Sequence, residues 1–84
     1  MNIRTLISEI NPEALLCDGF DDALIGIAER PNLGPIAAYS VEKMLDILIT
    51  RDEMTYEEAL EYYDYNIASA WLGDFTPIYI KTEF

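Results

Sequence analysis

The chain has 84 residues, 51% apolar and 12% aromatic, which suits one domain with a modest core and argues against disorder. Sixteen acidic residues face five basic ones, with no histidine, for a formal charge of −11. Binding bare nucleic acid or an anionic membrane surface needs clustered Lys and Arg, whereas Arg4, Arg30, Lys43, Arg51 and Lys81 are scattered.

Residues 3–10 place Ile3, Leu6, Ile7 and Ile10 at helical spacing. Asn11-Pro12-Glu13 then predicts a second, short helix over residues 12–17, with Asn as cap, Pro at the first position and Glu at the positive dipole end. Asp18-Gly19 ends it. Two short apolar runs follow, residues 23–29 and 35–40, separated by Arg30-Pro31-Asn32-Leu33-Gly34, which is turn chemistry. A β-hairpin is the expectation, with Gly26 marking a bulge or a close neighbouring backbone. A helix over residues 21–30 is the alternative.

Ser40 can cap a helix over residues 41–51 with Val41, Met44, Leu45 and Leu48 on one face. Thr55-Tyr56-Glu57-Glu58 is a capping box, the strongest local signal in the chain. It opens a helix expected over residues 56–72, with Tyr56, Leu60, Tyr63, Ile67 and Trp71 along one stripe and Gly73 as the stop. Residues 76–81 read as a last strand entered through Pro77. The expected fold is α+β: about four helices on a small, three-stranded, mostly antiparallel sheet, in the order α-α-β-β-α-α-β, as one domain over residues 1–84.

Composition weighs against catalysis. Without histidine no ordinary base is at hand, and the lone Cys17 lies in the apolar run Ala14-Leu15-Leu16, where it is expected as a small buried hydrophobe. Cys17 also allows no internal disulfide. Structural zinc needs Cys and His in sets of four, so no cofactor is expected. The start, Met1-Asn2-Ile3-Arg4, is not that of a signal segment, and no apolar run approaches the roughly 20 residues of a bilayer span; the chain reads as cytoplasmic.

Two features could bind something. Asp18, Asp21 and Asp22 crowd one loop and could hold Ca²⁺ or Mg²⁺, although their spacing misses the EF-hand pattern; turn capping is the competing reading. Glu57, Glu61 and Asp64 fall on one side of the last helix, flanked by Glu58, with Asp52 and Glu53 upstream. That side is either a solvated face or a docking face for a basic partner, in the stronger form a mimic of nucleic-acid phosphates. Tyr62 and Tyr65 lie off the Tyr56–Tyr63 stripe and would add aromatic anchors. A second copy of the chain, as a homodimer, would also cover them.

The segments Gly19-Phe20-Asp21-Asp22-Ala23-Leu24-Ile25-Gly26, Ala38-Tyr39 with Lys43, Met54-Thr55-Tyr56-Glu57-Glu58-Ala59 with Glu61-Tyr62-Tyr63, then Asn66, Ala70, Gly73 and Thr76-Pro77 span roughly residues 10–80. In order and spacing they resemble a group of short acidic proteins of tailed bacteriophages and related mobile elements. The resemblance implies a phage protein acting in a bacterial cytoplasm, where it binds a host or defence protein. It carries over no site residues. The combined expectation is a non-catalytic protein that binds, and inhibits or modulates, a bacterial protein with a basic surface through Glu57, Glu58, Glu61, Tyr62, Asp64 and Tyr65. A divalent-metal or small-ligand domain built on Asp18, Asp21 and Asp22 is the alternative.

Overall fold

The computed structural model describes residues 2–83. The side chain of Asn2 accepts the Thr5 amide (2.8 Å) and caps α1, Ile3–Ile10. Of the expected stripe Ile7 is buried outright and Ile3 half-buried, while Leu6 and Ile10 are exposed.

The expected helix over residues 12–17 does not form. Asn11 does cap a turn: its Oδ1 accepts the Glu13 amide (3.2 Å) and its carbonyl accepts that of Ala14 (3.0 Å). Beyond this, the amides find distant partners. Leu15 N–H donates to the Phe75 carbonyl (3.1 Å) and Cys17 N–H to the Tyr39 hydroxyl (2.8 Å). A helix this short gains few internal bonds for the cost of nucleation, so the tertiary bonds win. Asn11 is itself buried, and its Nδ2 donates to the Pro35 carbonyl at 2.7 Å, which ties the loop to the sheet.

A short 3₁₀ turn, Asp21–Ala23, leads into β1 (Leu24–Arg30), which pairs antiparallel with β2 (Leu33–Ser40). The hairpin is as expected, closed by Pro31 and by Asn32 in the left-handed region at φ 63°. A register shift between Leu24 and Gly26 is the bulge expected there. Gly34 answers to packing instead: a Cβ would lie 2.9 Å from Asn11 Nδ2 and 3.4 Å from the Phe75 ring.

Ser40 Oγ accepts the Lys43 amide (3.2 Å) and starts α2, Val41–Arg51, which buries Val41, Met44, Leu45 and Leu48. Glu53, at φ 56°, turns the chain after α2, and Met54 N–H doubles back to the Leu48 carbonyl (3.3 Å). Helix α3, Tyr56–Tyr62, continues as a π-helical segment, Tyr63–Ala68. Ala59, Tyr63 and Ile67 are its buried residues. Their strict spacing of four drifts around an ordinary 3.6-residue turn, and the wider π turn takes the drift back. The helix ends before Trp71. Asn66 Nδ2 donates to the Tyr62 carbonyl (3.2 Å) and Ser69 Oγ to that of Tyr65 (2.8 Å), so polar side chains occupy carbonyls near the end of the helix. Trp71, beyond that end, is 69% exposed, and Tyr56, at the first position of α3, is 60% exposed, although both were expected on the stripe.

The last strand, β3 (Ile78–Ile80), pairs with β2 in parallel, so the sheet is mixed, in the order β1-β2-β3, and not mostly antiparallel. Arg30 at the hairpin end donates to the Asp74 carbonyl, and Leu15 holds Phe75. The chain thus reaches the sheet near the start of β2 and runs alongside it, Ala38 beside Ile78 and Ser40 beside Ile80. Among the described residues three α-helices replace the expected four, and the class is α+β. Ile7, Tyr39, Met44 and Leu48 are fully buried in the core, each large apolar side chain contributing about 1.5–3 kcal/mol. The Glu42 carboxylate receives the amides of Thr82 (3.1 Å) and Glu83 (3.0 Å), which clasps the segment after β3 onto α2.

A non-glycine residue in the left-handed region costs roughly 1–2 kcal/mol. Glu53→Gly should therefore stabilise the fold by about 1 kcal/mol and raise the thermal midpoint by about 4–8 °C, read by circular dichroism. Glu42 is held below the usual carboxylate range by its own backbone amide and by those of Glu83 and Thr82. With the folded value depressed, its contribution is complete above the unfolded value of about 4.3 and is lost as pH falls through the folded value. The urea midpoints of the wild type and Glu42→Gln should differ most at neutral pH and converge in acid.

Candidate functional site

The capping box forms with both arms: Glu58 N–H donates to Thr55 Oγ1 (3.1 Å) and Thr55 N–H to Glu58 Oε1 (2.9 Å). It fixes the direction in which α3 leaves the loop and begins a face of acids. Glu57, Glu58, Glu61 and Asp64 are all exposed. Among the described residues no arginine or lysine pairs with any of them.

The arginines are engaged elsewhere. Arg4 bonds Asp21 (2.6 Å) and lies 3.7 Å from Asp18. Arg51 grips Asp52 through two nitrogens (3.0 and 2.9 Å), donates to the Gly19 carbonyl (2.6 Å) and lies 5.1 Å from the Phe20 ring centre. Asp52 is thereby neutralised and held below the usual carboxylate range by its bonds to Arg51, so it does not extend the open acidic face.

The structure brings only part of the expected set together. Glu58, Glu61, Tyr62 and Tyr65 line one shallow groove with Met54 and Asn66. Glu57 and Asp64 are exposed but lie outside its lining. Tyr62 is 40% and Tyr65 77% exposed, while Tyr63 is buried and meets Tyr79 edge-to-face at 5.9 Å. The tyrosine cluster therefore divides between surface and core. Met54 and Asn66 escaped the sequence reading: Asn66 follows Tyr62 at an interval of four, which places them on one side of a helix, whereas Met54 lies in the loop before the Thr55 cap, where helical spacing gives no signal.

Two of the three loop aspartates, Asp18 and Asp21, lie against a cation already present, the Arg4 guanidinium. Among the described residues no group of three or more Cys, Asp or Glu converges as a metal site would. Cys17 is half-buried, its Sγ 3.6 Å from the Tyr79 hydroxyl. Burial pushes its thiol up, away from the thiolate that nucleophilic chemistry needs, and burial pushes the neighbouring Tyr39 up to about 12. A pocket of about 240 Å³ lies beside Cys17, walled by Leu16, Phe20, Ile67, Leu72 and Tyr79 among others, and Asn66 lines both this pocket and the acidic groove. No described helix is long and apolar enough to cross a membrane. No family model, curated protein or solved structure matches the chain.

An acidic face without counter-charge costs stability, since Glu57 and Glu61 repel across one helical turn. Glu61→Gln should leave the fold intact and raise its stability by a few tenths of a kcal/mol, about 0.2–0.5, read as a higher urea midpoint at low salt. The gain should shrink as salt screens the repulsion.

Proposed function

We propose that the protein is a non-catalytic accessory protein of phage type that binds a basic surface on a bacterial protein and thereby inhibits or modulates it. The observation that supports this most is the surface of α3 and the π-helical segment after it: four exposed carboxylates, Glu58 and Glu61 in the groove and Glu57 and Asp64 outside it, with no cationic partner among the described residues, next to exposed Tyr62 and Tyr65. Regularly spaced charges on a capped helix lose little entropy on docking, and they attract a cationic surface over the range of the Debye length. Aromatic side chains supply the contact area that carries interface energy. In its stronger form the face stands in for nucleic-acid phosphates and occupies a groove that otherwise holds DNA or RNA. The alternative of a metal site at Asp18, Asp21 and Asp22 gains no support, because Arg4 already sits against two of those carboxylates.

The test is capture from a bacterial lysate on the immobilised full chain, read by mass spectrometry. The Debye length falls from about 10 Å at 0.1 M salt to about 3 Å at 1 M. A true partner should be retained at the lower salt, released at the higher, and lost from the Glu57→Lys/Glu61→Lys protein. Retention that ignores both salt and charge reversal would overturn the reading. The mimic form further requires that nucleic acid displace the chain from its partner.

A further inference from the structure

The pocket beside the acidic groove forms where four stretches of chain meet: the loop of residues 15–18, the π-helical segment, residues 70–72 and the entry to β3. Leu15, Leu16, Phe20, Ile67, Ala70 and Leu72 give it an apolar lining, and its polar residues include Asp18, Asn66 and Cys17. Its volume, about 240 Å³, falls below the roughly 300–1,000 Å³ of small-molecule sites. It exceeds the roughly 150 Å³ cavity that takes one benzene. The space therefore suits a single large side chain better than a cofactor.

Its surroundings narrow the occupant. Asn66 is common to the pocket and to the groove carrying Glu58 and Glu61, so the two adjoin at that side chain. Leu72, on the pocket wall, is 71% exposed, and Trp71 beside it is 69% exposed, an apolar ledge on a strongly acidic molecule. A ligand crossing from groove to pocket meets carboxylates first and an apolar cavity next. A second copy of this chain carries the same net charge of −11 and is repelled from this acidic surface, whereas a basic segment is drawn to it. Extended or helical segments carrying lysine or arginine beside one large apolar residue match both halves.

We infer that the pocket is a socket for one tryptophan, phenylalanine or leucine side chain of a basic partner segment, whose flanking cations meet Glu58 and Glu61. This rests on the docking face proposed above and adds the anchor that gives it selectivity. Interfaces commonly concentrate their energy in one such desolvated anchor, while the surrounding charges set the rate and the register of encounter.

Three capped peptides serve as probes against the isotopically labelled full chain: Lys-Arg-Trp-Arg-Lys, the same with Ala for Trp, and Glu-Glu-Trp-Glu-Glu. NMR titration should show the first peptide shifting the Asn66 side-chain amide, Ile67 and Leu72. It should bind at least about tenfold more tightly than the Ala peptide, a difference of about 1.4 kcal/mol. The Ala peptide should shift only the residues of the acidic groove. Binding of the first peptide should also slow alkylation of Cys17, a readout that needs no variant. Ala70→Phe, at an exposed position on the pocket wall, should remove the advantage of Trp over Ala while leaving the melting curve in place. Equal affinity of the Trp and Ala peptides would overturn the socket and leave the acidic docking face standing. Equal affinity of the acid-flanked Trp peptide would overturn the role of Glu58 and Glu61, and with it the docking face. Concentration-dependent shifts at Trp71 and Leu72 without peptide would assign the pocket to a second copy and overturn the inference.

Discussion

Three guanidinium groups hold this molecule's loops to its body, and their commitment there determines what the surface looks like. Arg4 draws in the aspartate loop, Arg30 fixes Asp74, and Arg51 joins the end of α2 to Gly19 and Phe20. A chain with sixteen acids and five bases that places three of those bases in this way leaves Lys43 and Lys81, both exposed, for everything else. Neither pairs with an acid of α3. The exposed carboxylates of that helix are thus a result of where the arginines went as much as of how many glutamates the sequence contains.

Where the local signal and the tertiary requirement agreed, the residues were readable. Thr55 and Glu58 satisfy each other within one turn, so their motif predicts a geometry that nothing distant can improve. Ser40 does the same for α2, and Pro31 with Asn32 for the hairpin. Asn11 shows the opposite case. Its capping chemistry was read correctly, but a cap permits a helix without compelling one, and the Phe75 carbonyl and Tyr39 hydroxyl claimed the amides a helix would have used. Those partners lie far along the chain, where no window of residues could have revealed them.

The direction of β3 was hidden for a related reason. Alternation of side chains tells which residues share a face but not which way a strand runs. What decides it is the anchoring of residues 74 and 75 by Arg30 and Leu15 at the hairpin end. The candidate surface was legible in part. Helical spacing brought Glu61 together with Tyr62 and Tyr65 and placed Tyr63 and Ile67 on the stripe that is buried, but the change to a π-helical segment at Tyr63–Ala68, after which Trp71 is left exposed, was not written in that spacing.

The pairing of β3 with β2 spans both α2 and α3, so it joins residues far apart in sequence at a high cost of chain closure. Its ladder is only three residues long. Pro77 and Tyr79, two walls of the apolar pocket, are carried by that ladder and its approach. The sulfur of Cys17 has its hydroxyl partner from the same strand. Fraying of this one short strand would open the cavity, unpair the thiol and release the edge of the sheet in a single event, which makes the pocket one of the less stable parts of the fold.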